Sequence, residues 1–232
     1  MADRKDNLFK IIVEEYLNSA NPVGSSLVVE KYFPDLSSAT IRNEMAELEE
    51  ADLIYQPHTS AGRIPTIKGY QYYLDKFVGA GELNAKQRKN LDKLRSELKA
   101  DQESIKVLAK NLAELSREAV LIGFGPQDVY YTGIANLFRQ PEFYQQALVY
   151  SMSEIIDHLD EVMFKIFTKI DARAKILLGA DNPFGEASAV ILGQYRLKGQ
   201  PGLVGILGPS RMNYANNLGL IDYTQQIIGS LK

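Results

Sequence analysis

The chain has 232 residues, no cysteine and a formal net charge of −3 at pH 7. The absence of thiols excludes a disulfide scaffold, thiolate zinc sites and cysteine nucleophiles. No apolar run is long enough to span a bilayer, and the first residues lack the apolar core of a secretion signal, so we expect a cytoplasmic protein without a membrane partner.

The N-terminal segment predicts two helices joined by a turn. Apolar residues recur at helical spacing between residues 8 and 17, and residues 21–24 then supply Asn, Pro and Gly for a turn. Ser25 is suited to cap a second, short helix that runs to Tyr32. A Pro-Asp turn at residues 34–35 leads into a third helix, and three helices of this length fit a helix-turn-helix core.

The third helix carries the candidate DNA-reading residues. Ser37 or Ser38 can cap it, and its apolar residues share one face, at Ile41, Met45 and Leu48. Arg42 and Asn43 lie off that face in the first two turns, from which a recognition helix contacts base edges. Arginine can bind guanine O6 and N7 together, and asparagine can bind adenine N6 and N7. Taken alone, the helix is more simply explained as an ordinary amphipathic surface helix.

The residues after this helix predict a strand and a hairpin tip. Residues 53–55 suit a strand, and the polar run from Pro57 to Pro65 contains Gly62 for a tight turn. A wing of this kind can place Arg63 in a minor groove, or His58, Thr59 and Ser60 against phosphates. The alternative is a plain hairpin turn with a solvated arginine.

Residues 84–118 predict one long helix. Its leucines and isoleucines alternate three and four positions apart, and Asp101 occupies the one skipped position of the seam. Such a seam favours packing on another helix. Packing on the chain's own second domain and a coiled coil between two copies are equally good explanations.

Residues 119–232 predict an α+β module, in which strands are flanked by helices. Strands are predicted from Ala119 and over residues 174–178, 188–195 and 203–207, and helices over 142–150, 153–170 and 214–228. The methionine and aromatic residues of this part are interpreted as core rather than as a cofactor pocket.

Catalytic and metal-binding patterns are nearly absent. The two histidines, His58 and His158, fall in different predicted domains, and no acidic cluster has metal-ligand spacing. The glycines at 202, 205 and 208 lack the Lys-Ser/Thr that follows in a phosphate-binding loop. We therefore predict no enzyme, no cofactor and no metal.

Six sequence words resemble the heat-inducible transcription repressor family HrcA. They are NPVGS (21–25), LSSATIRNEMAELEE (36–50), QPHTSAGRIPT (56–66), KGYQYYLD (68–75), YYTGIANLFRQPEF (130–143) and GILGPSRMNYANNLGLIDY (205–223). The resemblance implies an α+β protein with a winged helix-turn-helix domain (1–79), a linking or dimer-type helix (80–118) and a reduced GAF-like sensor domain (119–232).

The resemblance also implies a function. It predicts a repressor of chaperone genes that binds double-stranded DNA as a homodimer on an inverted-repeat operator, with the GroE chaperonin as a further partner. The predicted DNA-binding residues are Ser25, Ser38, Thr40, Arg42, Asn43, His58, Thr59, Ser60 and Arg63.

Three departures from the family pattern are visible. Ser26 stands where the family usually has arginine, and Ala51-Asp52 stands where the family usually has Leu-Gly. The chain is also shorter by roughly a domain, between the strand near Val120 and the word at Tyr130, where relatives carry an inserted dimerisation subdomain.

The charge of residues 1–79 is unusual for a DNA-binding domain, because acids outnumber bases. We expect Lys31, Arg42, Arg63 and Lys68 to share one face and non-specific binding to be weak. Two other functions stay open: a regulator that responds to a small molecule, and an interaction module that has lost DNA binding.

Overall fold

The computed structural model describes residues 2–79, 81, 83–167, 169–170 and 173–231. Residues 1, 80 and 232, at which predicted domain boundaries fall, lie outside this set, as does Thr168 near the end of the predicted helix 153–170. The chain divides into two compact units, Met1–Gly79 and Ala80–Lys232. It contains helices in both units and a five-stranded sheet in the second, so the predicted α+β class is confirmed.

The first unit is a helical core with a small hairpin. Its elements are α1 (Ala2–Ser19), α2 (Ser25–Tyr32), α3 (Ser38–Glu50), β1 (Ile54–Tyr55), β2 (Ile64–Pro65) and α4 (Ile67–Phe77). The apolar faces predicted from spacing meet in its interior, where Leu8, Ile12 and Ile41 are fully buried. Thr66 caps α4, its side chain accepting a hydrogen bond from the Gly69 amide at 2.9 Å.

The second unit is an antiparallel sheet with helices packed on it. Its elements are α5 (Ala85–Arg95), α6 (Gln102–Ser116), β3 (Ala119–Gly125), β4 (Asp128–Thr132), α7 (Ile134–Phe138), α8 (Gln146–Asp157), α9 (Leu159–Phe167), β5 (Lys175–Leu178), β6 (Ser188–Leu197), β7 (Gln200–Pro209) and α10 (Tyr214–Ser230). The strand order is β4-β3-β7-β6-β5. Leu121, Leu192 and Leu203 line the face of the sheet that packs with Met163 and Phe167 of α9.

The single helix predicted over residues 84–118 is wrong. The chain leaves the helix after Arg95, and Asp101 caps a new one, its carboxylate accepting a hydrogen bond from the Ser104 amide at 2.8 Å. Ile105, Leu108 and Leu112 of α6 are buried within the second unit, where α6 packs on β3 and α10. The leucine seam therefore covers a sheet rather than forming a continuous coiled coil.

Two other local predictions also change. The predicted helix 142–150 is a 3-10 turn (Pro141–Tyr144) followed by the start of α8, and the helix predicted from Ser153 is interrupted at His158. The word DVYYT, for which the sequence predicts no element, forms β4 and pairs with β3 across a tight turn after Gly125. Among the described helices, none is long and apolar enough to cross a membrane.

Candidate nucleic-acid interface

The start of α3 is fixed by a side-chain cap. Ser37, the first of the two predicted candidates, is the N-cap: its Oγ accepts a hydrogen bond from the Thr40 amide at 3.0 Å and lies 2.9 Å from Thr40 Oγ1. This bond satisfies one of the amides that a helix leaves unpaired at its first turn. Thr40 as a whole is only partly buried at the helix start.

Ser25 and Ser38 bind each other rather than projecting freely. Their hydroxyl oxygens are 2.8 Å apart, and Ser25 is 9% exposed. The bond joins the first residue of α2 to the first residue of α3. The prediction that Ser25 caps α2 is wrong, because Gly24 is the N-cap and Ser25 is inside the helix.

Arg42 and Asn43 are exposed on α3. They follow Ile41, which is fully buried, and the turn of the helix carries them away from the core. Within the part of the chain that the structure describes, neither side chain forms a hydrogen bond or an ion pair. Both are free to contact a ligand.

A polar concavity of about 490 Å³ lies between α3 and the hairpin tip. It is lined by Arg42 and Met45 of α3, by residues 23–26, and by Gln56 and residues 59–63 of the tip. Arg42 thus faces the same hollow as Thr59 and Ser60, whereas Asn43 lies outside it.

The hairpin tip is held by backbone contacts on one side. Val23 and Arg63 exchange two backbone hydrogen bonds of 2.9 Å, which add a third short strand segment beside β2. Gly62 is required at this point, since a Cβ there would lie 2.4 Å from the Val23 carbonyl carbon. A larger residue at 62 would push the tip away from the start of α2.

The tip itself is organised by Gln56. Its side-chain amide nitrogen donates to the carbonyl oxygens of Thr59 and Ala61, both at 2.9 Å. His58, Thr59 and Ser60 are exposed at the end of the loop. The sequence predicts these three residues as contacts but not Gln56, because no local pattern identifies a side chain that bonds to backbone groups several residues away.

Arg63 is neither extended toward a groove, as predicted, nor solvated, as in the alternative. Its Nε donates to Glu49 Oε2 at 2.9 Å, and its side chain is 16% exposed. The same carboxylate accepts a hydrogen bond from the Gln56 backbone amide at 3.2 Å through Oε1. In this conformation the Arg63 guanidinium therefore ties the hairpin to α3 and does not extend from it.

Three of the four cations expected to share one face are engaged by other groups of the protein. Lys31 is paired with Glu15 at 3.2 Å. Lys68 donates to the Ala51 carbonyl at 2.8 Å and so provides a hydrogen bond to a backbone oxygen at the end of α3. Arg63 is paired with Glu49. Among the described residues 2–79, Arg42 is the one lysine or arginine without a carboxylate or carbonyl partner.

Two acidic residues of α3 are directed toward α1. Glu44 binds Arg4 and Glu47 binds Lys5, so the positive charges of α1 offset the acids on the side of α3 opposite its exposed arginine. Glu50 is exposed and has no partner among the residues described. The face around Arg42 and the hairpin tip is therefore polar and close to neutral.

The second unit offers weaker candidates for a ligand site. A hollow of about 240 Å³ is lined by Gln127, Asp160, Glu161, Phe164 and Lys165. Within the described ranges there is no group of three His, Asp or Glu residues that could hold a metal ion. His58 and His158 lie in different units.

A buried carboxyl group lies at the start of β3. Glu118 is 6% exposed, and its Oε2 has no hydrogen-bond partner among the described residues. Burial raises the pKa of Glu118 to about 8; Arg211 opposes the shift, and the nearby Glu142 adds to it. Arg211 is itself held by Glu142, at 2.5 Å, and by Gln140, at 2.8 Å.

The sequence comparisons with known proteins point to one family. The family model described as the HrcA protein C terminal domain matches residues 80–217. The heat-inducible transcription repressor HrcA of Carboxydothermus hydrogenoformans is 25% identical over 336 aligned positions, which span 98% of this chain and 98% of that protein. Since this chain has 232 residues, more than 100 of those positions face gaps in it.

Other similarities are shorter or concern the fold alone. The heat-inducible transcription repressor HrcA of Natranaerobius thermophilus is 43% identical over 126 residues, which cover 53% of this chain and 36% of that protein. A crystal structure of a hypothetical protein at 2.2 Å resolution superposes with a TM-score of 0.74 at 19% identity, covering 99% of this chain and 96% of that one.

Proposed function

The chain belongs to the HrcA family of heat-inducible transcription repressors, and we propose that it represses heat-shock genes by binding operator DNA through a winged helix in residues 1–79. In this proposal α3 is the recognition helix and the hairpin β1–β2 is the wing. The second unit is the sensor, a reduced GAF-like module. The family is one of repressors and not of enzymes.

The observation that carries the proposal is the position of Arg42. It is exposed in the second turn of α3, has no partner among the described residues, and lies beside the wing in one concavity. A recognition helix contacts base edges from its N-terminal residues, and a free guanidinium is suited to bidentate contact with guanine. Asn43, also exposed, is the second candidate reader.

The remaining predicted contacts fall into two groups. His58, Thr59 and Ser60 are exposed at the wing tip and are suited to phosphate contacts, as is the Thr40 hydroxyl at the helix start. Ser25, Ser38 and Arg63 act within the protein in this conformation, through the Ser25–Ser38 and Arg63–Glu49 contacts. Their role in DNA binding is to hold α2, α3 and the wing in register.

The assembly we propose is a homodimer on an inverted repeat. One chain supplies one recognition helix, and two-fold-related helices reach successive major grooves when half-sites lie about one helical turn apart. The GroE chaperonin as a partner and a cytoplasmic location are further parts of the proposal, and they rest on family membership.

A selection experiment tests the proposal and starts from no chosen operator sequence. The full chain is used to enrich binding duplexes from a random library at physiological salt. We expect an inverted repeat to emerge, with half-sites spaced by about one helical turn. Recovery of no sequence preference would overturn the proposal and favour an interaction module that has lost DNA binding.

A further inference from the structure

We infer that Glu49 is the positioning residue that sets the wing relative to the recognition helix, although its own charge is repelled by DNA. The inference rests on the proposed function. It concerns a residue of the last turn of α3, far from the helix end that contacts base edges.

One carboxylate holds both ends of the wing loop. Glu49 Oε1 accepts a hydrogen bond from the backbone amide of Gln56, the first residue after β1, at 3.2 Å. Glu49 Oε2 accepts one from Nε of Arg63, the last residue before β2, at 2.9 Å. The loop between these two residues carries the exposed tip, so its base is clamped directly to α3.

Two further contacts extend this clamp to the rest of the wing. The Gln56 side chain bonds to the Thr59 and Ala61 carbonyls, and the Arg63 backbone bonds to Val23. Glu49 is thus connected through one neighbour to the tip of the loop and through the other to the start of α2. A substitution of Glu49 is therefore expected to move the tip of the loop, and not only to break one hydrogen bond at the surface.

The chemistry of the clamp requires a carboxylate. An ionised carboxylate has two acceptor oxygens, and here each faces an N–H donor. A glutamine in its place has one oxygen and one NH₂ group. One of the two N–H groups of the clamp, the Gln56 amide or Arg63 Nε, would then face the glutamine NH₂ group, which is itself a donor and accepts no hydrogen bond. The charge-assisted bond to the guanidinium, the stronger of the two, would also be weakened.

The adjacent Glu50 provides a matched control. It carries the same charge at the same end of α3, it is exposed, and it has no contact among the described residues. Removing a negative charge near DNA by itself strengthens binding, because phosphate repulsion falls. Electrostatics alone therefore predicts that Glu49→Gln and Glu50→Gln both tighten binding, whereas the clamp predicts opposite signs.

The experiment measures binding of the full chain to the duplex that the selection recovers, by fluorescence anisotropy. We expect Glu50→Gln to bind as the wild type does or more tightly, and Glu49→Gln to bind about tenfold more weakly. Two footprinting reagents supply a readout specific to position: in Glu49→Gln the wing's protection of the DNA backbone from hydroxyl radicals fades, while the protection of guanine N7 from dimethyl sulfate by α3 in the major groove persists. Equal tightening by both variants, or an unchanged footprint, would overturn the inference.

A second variant covers the case in which Glu49→Gln does not fold, as judged by circular dichroism. Arg63→Met keeps a side chain of similar length but lacks any N–H that could meet Glu49, so we expect the same loss of wing protection. Full protection in Arg63→Met contradicts the clamp. Failure of the wild type to select any duplex is a different result, because it removes the proposed function itself.

Discussion

On α3, one step along the chain decides whether a side chain is buried or free to bind. Ile41 is fully buried, Arg42 and Asn43 are exposed, and Glu44 is again buried, against Arg4. Successive residues are turned by about 100° around the axis, so Arg42 and Asn43 lie on the arc of α3 that is turned away from the core. Arg42 occupies that arc without a competing acid.

At the same scale, Glu118 of the second unit is a carboxyl group held in an apolar and crowded place. It is enclosed by Gly208, where a Cβ would lie 2.6 Å from the Glu118 Cδ, and its Oε2 has no hydrogen-bond donor among the described residues. A buried carboxyl without donors favours its neutral form, and the pKa of Glu118 is raised to about 8.

The raised pKa of Glu118 predicts a pH-dependent free energy of unfolding. Because the folded-state pKa, about 8, exceeds the ordinary value of 4.5, the folded state binds one more proton than the unfolded state between these pH values. The Glu118 contribution is therefore fully present below pH 4.5 and is lost as pH rises toward 8, at up to about 1.4 kcal/mol per pH unit.

Glu118→Gln is expected to remove this slope, because the amide resembles the protonated acid and does not titrate. The variant gains up to about 3 kcal/mol over the wild type at pH 7. Urea unfolding from pH 5 to pH 9 measures it, with the exposed Glu114→Gln as control. Parallel pH profiles for wild type and Glu118→Gln would show that the carboxyl is not the cause.

At the scale of elements, the end of α3 sets the direction in which the chain enters the β1–β2 hairpin. The Asp52 amide bonds to the Glu49 carbonyl at 2.9 Å, and the Leu53 amide bonds to the Leu48 carbonyl at 3.0 Å. These are the two bonds of a Schellman motif, which requires a left-handed residue after the helix. Asp52 is that residue, with φ of 59°.

Asp52→Gly is expected to stabilise the first unit by about 0.5–1 kcal/mol, because glycine adopts the left-handed region without the steric strain of a Cβ. Asp52→Asn separates strain from charge: it removes the carboxylate but keeps the Cβ. Thermal unfolding of the three proteins gives the comparison. A stability gain in Asp52→Asn as large as that in Asp52→Gly would assign the effect to charge.

Helix periodicity predicted the first three helices of the first unit, but not α4, and it misread the leucine seam. Apolar residues at three- and four-residue spacing mark a helix with one buried face, whether that face packs on a partner helix or on a sheet. The spacing continues through Asp101, so it does not reveal that α6 begins there with a side-chain cap. The short edge strand β4 was missed because five residues carry little periodic signal.

The sequence predicted part of the candidate site. Exposure of Arg42 and Asn43 follows from local periodicity, and the wing loop follows from its turn residues. The pairing of Arg63 with Glu49 could not be predicted, because the two are 14 residues apart and meet only through the register of β1 with β2. The partners of Lys31 and Lys68 could not be predicted either, because they depend on how separate helices pack.

At the scale of the whole molecule, charge limits how the protein holds DNA. Residues 1–79 contain 12 acidic and 8 basic residues. Apart from Arg42, the basic side chains described in this unit have a carboxylate or carbonyl partner, among them Arg4, Lys31, Lys68 and Lys76. Few cations of the described part of this unit are therefore free to neutralise phosphates.

This charge balance predicts a weak salt dependence. The observed binding constant falls with salt in proportion to the number of phosphates neutralised, so we expect the logarithmic slope for a dimer to be smaller in magnitude than about 4. Titrations of the selected duplex across a range of salt concentrations measure it. A slope of about −8, for the logarithm of the binding constant against the logarithm of salt concentration, would require the paired lysines and arginines to leave their partners and bind phosphate.

The most direct test of the account compares wild type and Arg42→Ala on the selected duplex and on a scrambled duplex of the same length. We expect the variant to lose about 1–3 kcal/mol on the selected duplex, to relax specificity at one base pair in each half-site, and to bind the scrambled duplex almost as the wild type does. An equal loss of affinity on both duplexes would contradict the claim that Arg42 reads sequence.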